Sequence, residues 1–234
     1  MPMSTILPVT SIPTLSETMV MTHGNPWLPE VALTFDDGPS EYTPQVLAIL
    51  EHYGVKATFF FIGQNIAQFP LFLQQDQIGE NVVGNHTFTH PHLTTLPSAT
   101  IYQELSRTQN AVLRATGTRP TVFRPPYGEY NADVVTAANR LGLTVVTWGA
   151  DANDWVTPQP SVDLIVSRIL STASNGAIFL LHEGGGNRAN TVEALPAIIT
   201  GLQARGLRLV TIPQMLASLN PEHPALRPFP HQFP

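Results

Sequence analysis

Three short stretches of the chain combine residue types that can hold a metal ion and move protons. They read Thr-Phe-Asp-Asp-Gly-Pro at 34–39, His-Thr-Phe-Thr-His at 86–90 and Leu-Leu-His at 180–182. An aspartate pair and two histidines four residues apart can supply a carboxylate and two imidazoles to one divalent ion. A second carboxylate and a third histidine then remain for proton transfer. These groups together are typical of metal-assisted hydrolysis of an unactivated acyl bond.

The aspartate pair and the histidine pair are interpreted together as one metal site. Successive side chains of an extended backbone point to opposite sides, so one of Asp36 and Asp37 can ligate the ion while the other handles a proton. The spacing of His86 and His90 places both imidazoles on one side of a helical turn. With Asp37 they form a set that suits zinc and also admits iron, cobalt or manganese. Taken singly, the aspartates could form a solvated turn, and the histidines could be capping or surface groups.

Two further residues have the surroundings of functional groups. His182 ends an apolar run and precedes a glycine-rich loop, which favours a positioned acid or base. Arg124 precedes two prolines, whose stiff backbone would hold a guanidinium against a carboxylate. The alternatives are a histidine bonded to loop backbone and a surface arginine beside a turn.

A third group of polar and aromatic residues lies between 148 and 155. Asp151 and Asp154 could orient His182, and the flat face of Trp155 could form the wall of a sugar site. Trp148 and Trp155 would fit equally well in the core.

Predicted strands and predicted helices alternate regularly along the part of the chain that contains these residues. Seven short apolar runs are predicted to be strands, at 31–35, 57–62, 81–84, 121–123, 143–148, 177–181 and 207–211. Helices are predicted near 43–53, 65–75, 98–116, 131–141, 161–173, 190–205 and 213–219, with N-caps at Ser98, Asn131 and Ser161 and glycine stops at 54, 117, 142 and 206. This rhythm predicts an α/β fold of parallel strands with crossover helices, and seven such units favour a closed or nearly closed barrel.

The functional candidates all follow the ends of predicted strands. The aspartate pair follows the first strand, the histidine pair the third, Arg124 the fourth, Asp151 the fifth and His182 the sixth. In parallel α/β barrels the loops at the carboxyl ends of the strands converge over the barrel mouth. The sequence therefore predicts one site at that rim.

Composition narrows the class of protein. The 234 residues carry a formal net charge of -6, and 43% of them are hydrophobic, which predicts one sizeable folded domain. Lys56 is the only lysine, so no basic surface is available for nucleic acid. There are no cysteines, which excludes disulfides and thiolate ligands. Neither a secretory signal nor a membrane span is expected from the first residues, although an export signal could have been removed.

The domain boundaries are predicted from the tails. Residues 1–27 show no periodic apolar pattern and are assigned to an N-terminal extension, and 220–234 are assigned to a Pro-rich C-terminal tail. The catalytic domain is predicted at 28–219.

The motifs resemble those of the polysaccharide deacetylase family, carbohydrate esterase family four, also called the NodB-homology domain. The resemblance covers about 28–217, with TFDDGP, HTFTH, RPPYG, DANDW and LLH in the family's order. The resemblance implies a distorted barrel fold and a deacetylase activity that usually depends on zinc. We also expect the protein to be a monomer. Glu183 stands where many relatives have aspartate.

The resemblance also implies a role for each matched position. Asp37, His86 and His90 would hold the metal, which is zinc in most of the family, with cobalt or another divalent ion possible. Asp36 would be the base paired with Arg124, and Asp151 would adjust the acid His182. The Tyr127 backbone N-H would stabilise the oxyanion, while Trp155 and Leu180 would line the acetyl pocket.

The substrate implied by the resemblance is an acetylated aminosugar polymer or oligomer. Peptidoglycan is favoured, and chitin or chitooligosaccharides come next; both polymers favour an extracellular or cell-envelope location. An acetyl xylan esterase and a small-molecule amide hydrolase of the same fold are the alternatives. A non-catalytic sugar-binding module would have a broken catalytic set, and this chain has an intact one.

Overall fold

The computed structural model describes residues 20–69, 73, 78–219 and 226–227. Most of the predicted N-terminal extension and of the predicted C-terminal tail lies outside these residues, so both boundaries stay predictions.

Parallel strands form the central sheet. Their bounds are β1 Val20–Met21, β2 Glu30–Asp36, β3 Thr58–Phe61, β4 Val82–Asn85, β5 Val122–Phe123, β6 Thr144–Val146, β7 Ala150–Asp151, β8 Ile178–His182, β9 Arg208–Leu209 and β10 Leu226–Arg227. The order along the sheet is β10-β1-β6-β5-β4-β3-β2-β8-β7, and β9 pairs with β2 beside this path. Neighbouring strands are parallel, except that β1 and β10 are antiparallel.

The sheet curls because β7, which pairs with β8 at one end, follows only three residues after β6, which lies near the other end. The Gly149 amide, directly before β7, donates to the Ile178 carbonyl on β8 at 3.2 Å and extends the pairing of β7 with β8. After β1, the Gly24 amide donates to the Gly176 carbonyl just before β8 at 2.8 Å. This contact links the same two regions of the sheet a second time. The predicted α/β fold, a distorted barrel of parallel strands, is confirmed.

Six of the seven predicted strands are found within about two residues of their expected bounds. The run at 207–211 contains only the two-residue strand β9, which pairs with β2 outside the main order. β1, β7 and β10 were not predicted. Each is two residues long, too short to show a period of two in the sequence.

Helices cover the outside of the barrel. Their bounds are α1 Thr43–His52, α2 Gly63–Ile66, α3 Ser98–Thr116, α4 Ala132–Arg140, α5 Val162–Thr172, α6 Ala189–Ala204 and α7 Ile212–Ala217. The predicted helix at 65–75 corresponds to α2 only in part, and several of its residues lie outside the described ones. In the described residues no helix is long and apolar enough to cross a membrane.

The predicted N-caps are confirmed at Asn131 and Ser161, whose side chains accept from the amides of Val134 and Leu164. The third prediction is wrong, because Ser98 is the first residue of α3 and the cap position is occupied by Pro97. The predicted glycine stops all have left-handed backbone, with φ between 62° and 75° at positions 54, 117, 142 and 206, which glycine adopts without steric cost.

Alternating side chains divide the core into an outer and an inner part. On β2, Val31, Leu33 and Phe35 face the helices, as shown by their packing with residues of α5 and α6. Ala32 on the opposite face packs in a second cluster. The other members of that cluster are Met21, Phe60, Val122, Val146, Ile178, Val210, Ile212 and Met215. Since the last two come from α7, this helix closes the amino end of the barrel and leaves the carboxyl end open to solvent.

Candidate active site

A cavity of about 280 Å³ opens at the carboxyl ends of the strands. Its lining contains nine of the predicted metal, acid, base and pocket residues, namely Asp36, Asp37, His86, His90, Tyr127, Asp151, Trp155, Leu180 and His182, and also Trp148. Arg124, the remaining predicted site residue, is fully buried beside Asp36. The barrel therefore brings all ten predicted site residues to one rim.

Asp37, His86 and His90 form the only group in the described residues whose ligand atoms could share one ion, with all three atoms within 4.8 Å of one another. Asp37 Oδ1 is 3.5 Å from His86 Nε2 and 3.3 Å from His90 Nε2.

The helical turn predicted for the histidine pair is wrong. Residues 86–90 form a loop in which Thr87 and His90 have left-handed backbone, with φ of 66° and 59°.

A buried carboxylate on α3 holds this histidine loop in place. Glu104 is 7% exposed, and its Oε2 accepts hydrogen bonds from the amides of Phe88 at 2.9 Å and Thr89 at 2.8 Å. The sequence reasoning missed Glu104. A charged residue on the apolar face of a helix, between Ile101 and Leu105, was the available signal, because a buried carboxylate needs partners.

The chemistry of the three residues fits a divalent metal. Asp37 Oδ1 is buried and accepts no hydrogen bond from the described residues. His86 Nδ1 bonds the carbonyl oxygen of Arg124 at 2.7 Å, so Nδ1 carries the proton and Nε2 keeps its lone pair toward Asp37.

The charge states also favour metal binding. Burial would raise the pKa of Asp37, but the histidines around it, His86 first, outweigh burial and hold that pKa well below its usual value. Burial and the charge of His86 lower the pKa of His90. An ionised carboxylate and a neutral imidazole are the forms that ligate a metal.

Asp36 is held by a buried arginine at the floor of the cavity. Arg124 Nη1 donates to Asp36 Oδ1 at 2.8 Å and to Thr34 Oγ1 at 2.7 Å, and Nη2 donates to the Thr147 carbonyl at 3.1 Å. Asp36 Oδ2 lies 3.7 Å from His86 Nε2. The guanidinium fixes the orientation of the Asp36 carboxylate and leaves its second oxygen toward the candidate metal ligands.

His182 is positioned by Asp154 and not, as predicted from the resemblance, by Asp151. Asp154 Oδ1 bonds His182 Nδ1 at 2.8 Å, and Oδ2 accepts from the His182 amide and from Thr191 Oγ1, each at 2.8 Å. Burial alone would lower the pKa of His182, but the hydrogen bond and charge of Asp154 outweigh it, and that pKa is raised.

Asp151 instead organises the cavity wall. Its Oδ1 accepts from the Asn153 amide at 2.6 Å, and its Oδ2 accepts from Trp155 Nε1 at 3.3 Å. Asn153 has a left-handed φ of 49°, which turns the loop and leaves Asp154, not Asp151, facing the histidine. The sequence contained both aspartates but no signal for this turn.

Exposed aromatic rings form the two sides of the mouth. Tyr127 is 54% exposed and Trp155 52% exposed, while Leu180 is buried at 3%. The Tyr127 ring lies edge-on to His90, with centroids 4.7 Å apart, and stacks on His92 at 4.0 Å. Flat apolar faces at a polar cleft suit a sugar ring.

A second buried acid lies behind the aspartate pair. Glu183 is fully buried; its Oε2 accepts from Thr43 Oγ1 at 2.6 Å and from Ser40 Oγ at 3.0 Å. Burial raises the pKa of Glu183 to about 7. This residue supports the turn at Gly38, where a Cβ would overlap its carboxylate.

Comparison with known proteins agrees with this geometry. The sequence profile described as "Polysaccharide deacetylase" matches residues 24–146, more than half of the chain. A peptidoglycan-N-acetylglucosamine deacetylase of Bacillus cereus is 37% identical over 188 residues, which cover 80% of this chain and 68% of that protein. A chitooligosaccharide deacetylase of Rhizobium leguminosarum bv. trifolii is 38% identical over 196 residues, covering 79% of this chain and 90% of the relative.

A solved structure shows the same fold. The crystal structure of the Bc1960 peptidoglycan N-acetylglucosamine deacetylase superposes with a TM-score of 0.79 at 36% identity, covering 84% of this chain and 92% of that one. The fold and the lining of the cavity are those of a hydrolase built on an α/β barrel, with a candidate metal site at its rim. The chain belongs to the polysaccharide deacetylase family, carbohydrate esterase family 4, and is an enzyme of that family.

Proposed function

We propose that the chain is a zinc-dependent N-deacetylase acting on the N-acetylglucosamine residues of a polysaccharide, with peptidoglycan as the first substrate and chitooligosaccharides as the second. The observation that carries this proposal is the position of the Asp37, His86 and His90 cluster, which shares one cavity with the Asp36–Arg124 pair and with His182. These substrate polymers would place its action at the cell envelope or outside the cell, and a monomer would be sufficient for it.

The chain's own residues would divide the work of amide hydrolysis. A zinc ion held by Asp37, His86 and His90 would supply Lewis acidity, which makes the acetyl carbonyl more electrophilic and water more acidic. Asp36 would take the proton of the attacking water, and Arg124 would hold that carboxylate in place through its hydrogen bond to Oδ1.

The acid would act from the neighbouring strand. Asp36 and His182 occupy paired register positions on β2 and β8, so base and acid face the same cavity. His182 Nδ1 is engaged by Asp154, which leaves Nε2 to deliver a proton to the departing nitrogen. An amine leaves only when it is protonated, so an amidase depends on this acid more than an esterase does.

The cavity wall would hold the acetyl group. The backbone N-H of Tyr127, a residue with φ of 60°, would donate to the developing oxyanion, a contribution typically worth about 3–4 kcal/mol. Leu180 and Trp155 would contact the acetyl methyl group, and Asp151 would fix the Trp155 ring through its Nε1.

Acetate release tests this proposal. The zinc content of the purified protein is measured first, and acetate is then quantified from peptidoglycan, N-acetylglucosamine oligomers and acetylated xylan. We expect release from the amide substrates, loss of activity on chelation and recovery with added zinc or cobalt. Release from xylan alone would support the ester alternative, and full activity in a strong chelator would contradict the ligand assignment.

A further inference from the structure

Arg188 is a buried cation that lies outside the cavity lining and has no part in the steps above. It immediately precedes α6 and is 6% exposed. Nε donates to the Gly184 carbonyl at 2.7 Å, Nη1 to the Asp154 carbonyl at 3.0 Å and Nη2 to the Gly185 carbonyl at 3.2 Å. The guanidinium therefore joins the loop after β8 to the loop after β7.

The two glycines pack directly against Asp37. A Cβ on Gly184 would lie 2.2 Å from the Asp37 carbonyl oxygen, and a Cβ on Gly185 would lie 2.5 Å from Asp37 Oδ2. Because no side chain fits at either position, the glycine backbone itself is the wall behind this carboxylate. The carbonyls of that wall are the ones that Arg188 holds.

On its other side, Arg188 holds the backbone of Asp154. The Asp154 carboxylate bonds His182, and Thr191, also on α6, donates to the same carboxylate. Two residues at the start of α6 therefore hold Asp154. Arg188, directly before the helix, donates to the carbonyl oxygen of Asp154, and Thr191, in its first turn, donates to the Asp154 carboxylate. Displacement of this loop would move His182 relative to Asp37.

We propose that Arg188 is a positioning residue that sets the placement of the metal-binding carboxylate of Asp37 relative to the acid His182. The inference rests on the proposed function. A planar guanidinium has five N-H donors and can reach three carbonyls at once, whereas a lysine ammonium offers three donors from a single point. Since Arg188 does not line the cavity, its effect is expected on metal binding and turnover and not on substrate binding.

The experiment compares Arg188→Gln and Arg188→Lys with the parent protein and with Arg168→Gln as the matched control. Arg168 Nη1 also donates to carbonyls of the loop after β7, those of Ala152 at 3.0 Å and Asn153 at 3.4 Å. No hydrogen bond found for it in the described residues reaches the glycine wall. Zinc affinity is measured on zinc-free protein by competition with a chromophoric chelator, and kcat and KM are measured by acetate release from N-acetylglucosamine oligomers.

We expect Arg188→Gln to bind zinc about tenfold more weakly or worse, as found for residues that support metal ligands. Its kcat should fall while its KM changes by less than about twofold. Arg188→Lys should lie between this variant and the parent, and Arg168→Gln should keep the parental zinc affinity.

Several results would overturn the inference. One is an Arg188→Gln protein with parental zinc affinity and kcat that has lost only thermal stability. Equal weakening of zinc binding in Arg168→Gln, or failure of both Arg188 variants to fold, would also reject it. A parent protein that binds no zinc would instead refute the proposed function, so the two failures can be told apart.

Discussion

At the scale of single residues, Asp36 differs from the three candidate metal ligands because its Oδ1 is bonded by Arg124 Nη1 at 2.8 Å. We expect Asp36→Asn to keep zinc bound and to lower the rate of acetate release by about 10²- to 10⁴-fold, because an amide cannot accept the proton of the attacking water. His86→Ala should lose both zinc and activity. Acetate assays with zinc quantified in the same samples check this prediction, and parental turnover in Asp36→Asn would remove that residue from its role.

The pairing of His182 with Asp154 predicts a change in pH dependence. Asp154 raises the pKa of His182, and the acid must be protonated, so activity falls as the pH rises through that pKa. In Asp154→Asn this pKa should be lower, and the alkaline fall in kcat should therefore occur at a lower pH.

The matched variant for this measurement is Asp151→Asn, which keeps one acceptor oxygen for the two donors, Asn153 N and Trp155 Nε1, and changes no hydrogen bond to His182. In Asp151→Asn, kcat should fall at the same alkaline pH as in the parent protein, even if the maximal kcat changes. If the alkaline fall in kcat moved in Asp151→Asn but not in Asp154→Asn, Asp151 would be the residue that adjusts His182, as the family resemblance implies.

At the scale of elements, α3 supports the histidine loop through Glu104. Glu104→Ala removes the acceptor for the Phe88 and Thr89 amides, and residues of this kind typically change metal affinity by about 10- to 100-fold. We expect zinc affinity to fall in Glu104→Ala and to recover in part in Glu104→Gln, which keeps one oxygen acceptor. Chelator competition measures both.

Gln103 on the same helix is exposed and provides the control. Gln103→Ala should leave zinc affinity unchanged, since no side-chain hydrogen bond from Gln103 to the loop is found in the described residues. If Glu104→Ala bound zinc as the parent does, the histidine loop would not depend on α3.

At the scale of the whole molecule, the three candidate metal ligands, Asp37, His86 and His90, come from two loops that meet only in the folded barrel. A ligand that binds the folded state alone stabilises it, by about 2.7 kcal/mol at a concentration 100 times Kd. We therefore expect zinc to raise the Tm of the metal-free protein by several degrees. The same titration on His86→Ala should give no increase, and a parent Tm that does not respond to zinc would contradict a site formed by Asp37, His86 and His90.

Local sequence patterns were sufficient to predict the class of fold and the residues of the candidate site. Alternating apolar runs and helices predicted the parallel barrel, because each pattern depends on local periodicity. The ends of five of those runs located the rim, and the aspartate and histidine motifs predicted residues that do lie in one cavity, since parallel strands bring their carboxyl ends together.

The hydrogen-bond partner of each group, in contrast, depends on how the chain folds. Asp151 and Asp154 are chemically alike and three residues apart, and the left-handed turn at Asn153 selects the second for His182. The histidines converge through a strained loop held by Glu104 and not through a helix. Glu104 and Arg188 contact the backbone of loops through side-chain hydrogen bonds, and such contacts leave no periodic pattern because they depend on how whole elements pack.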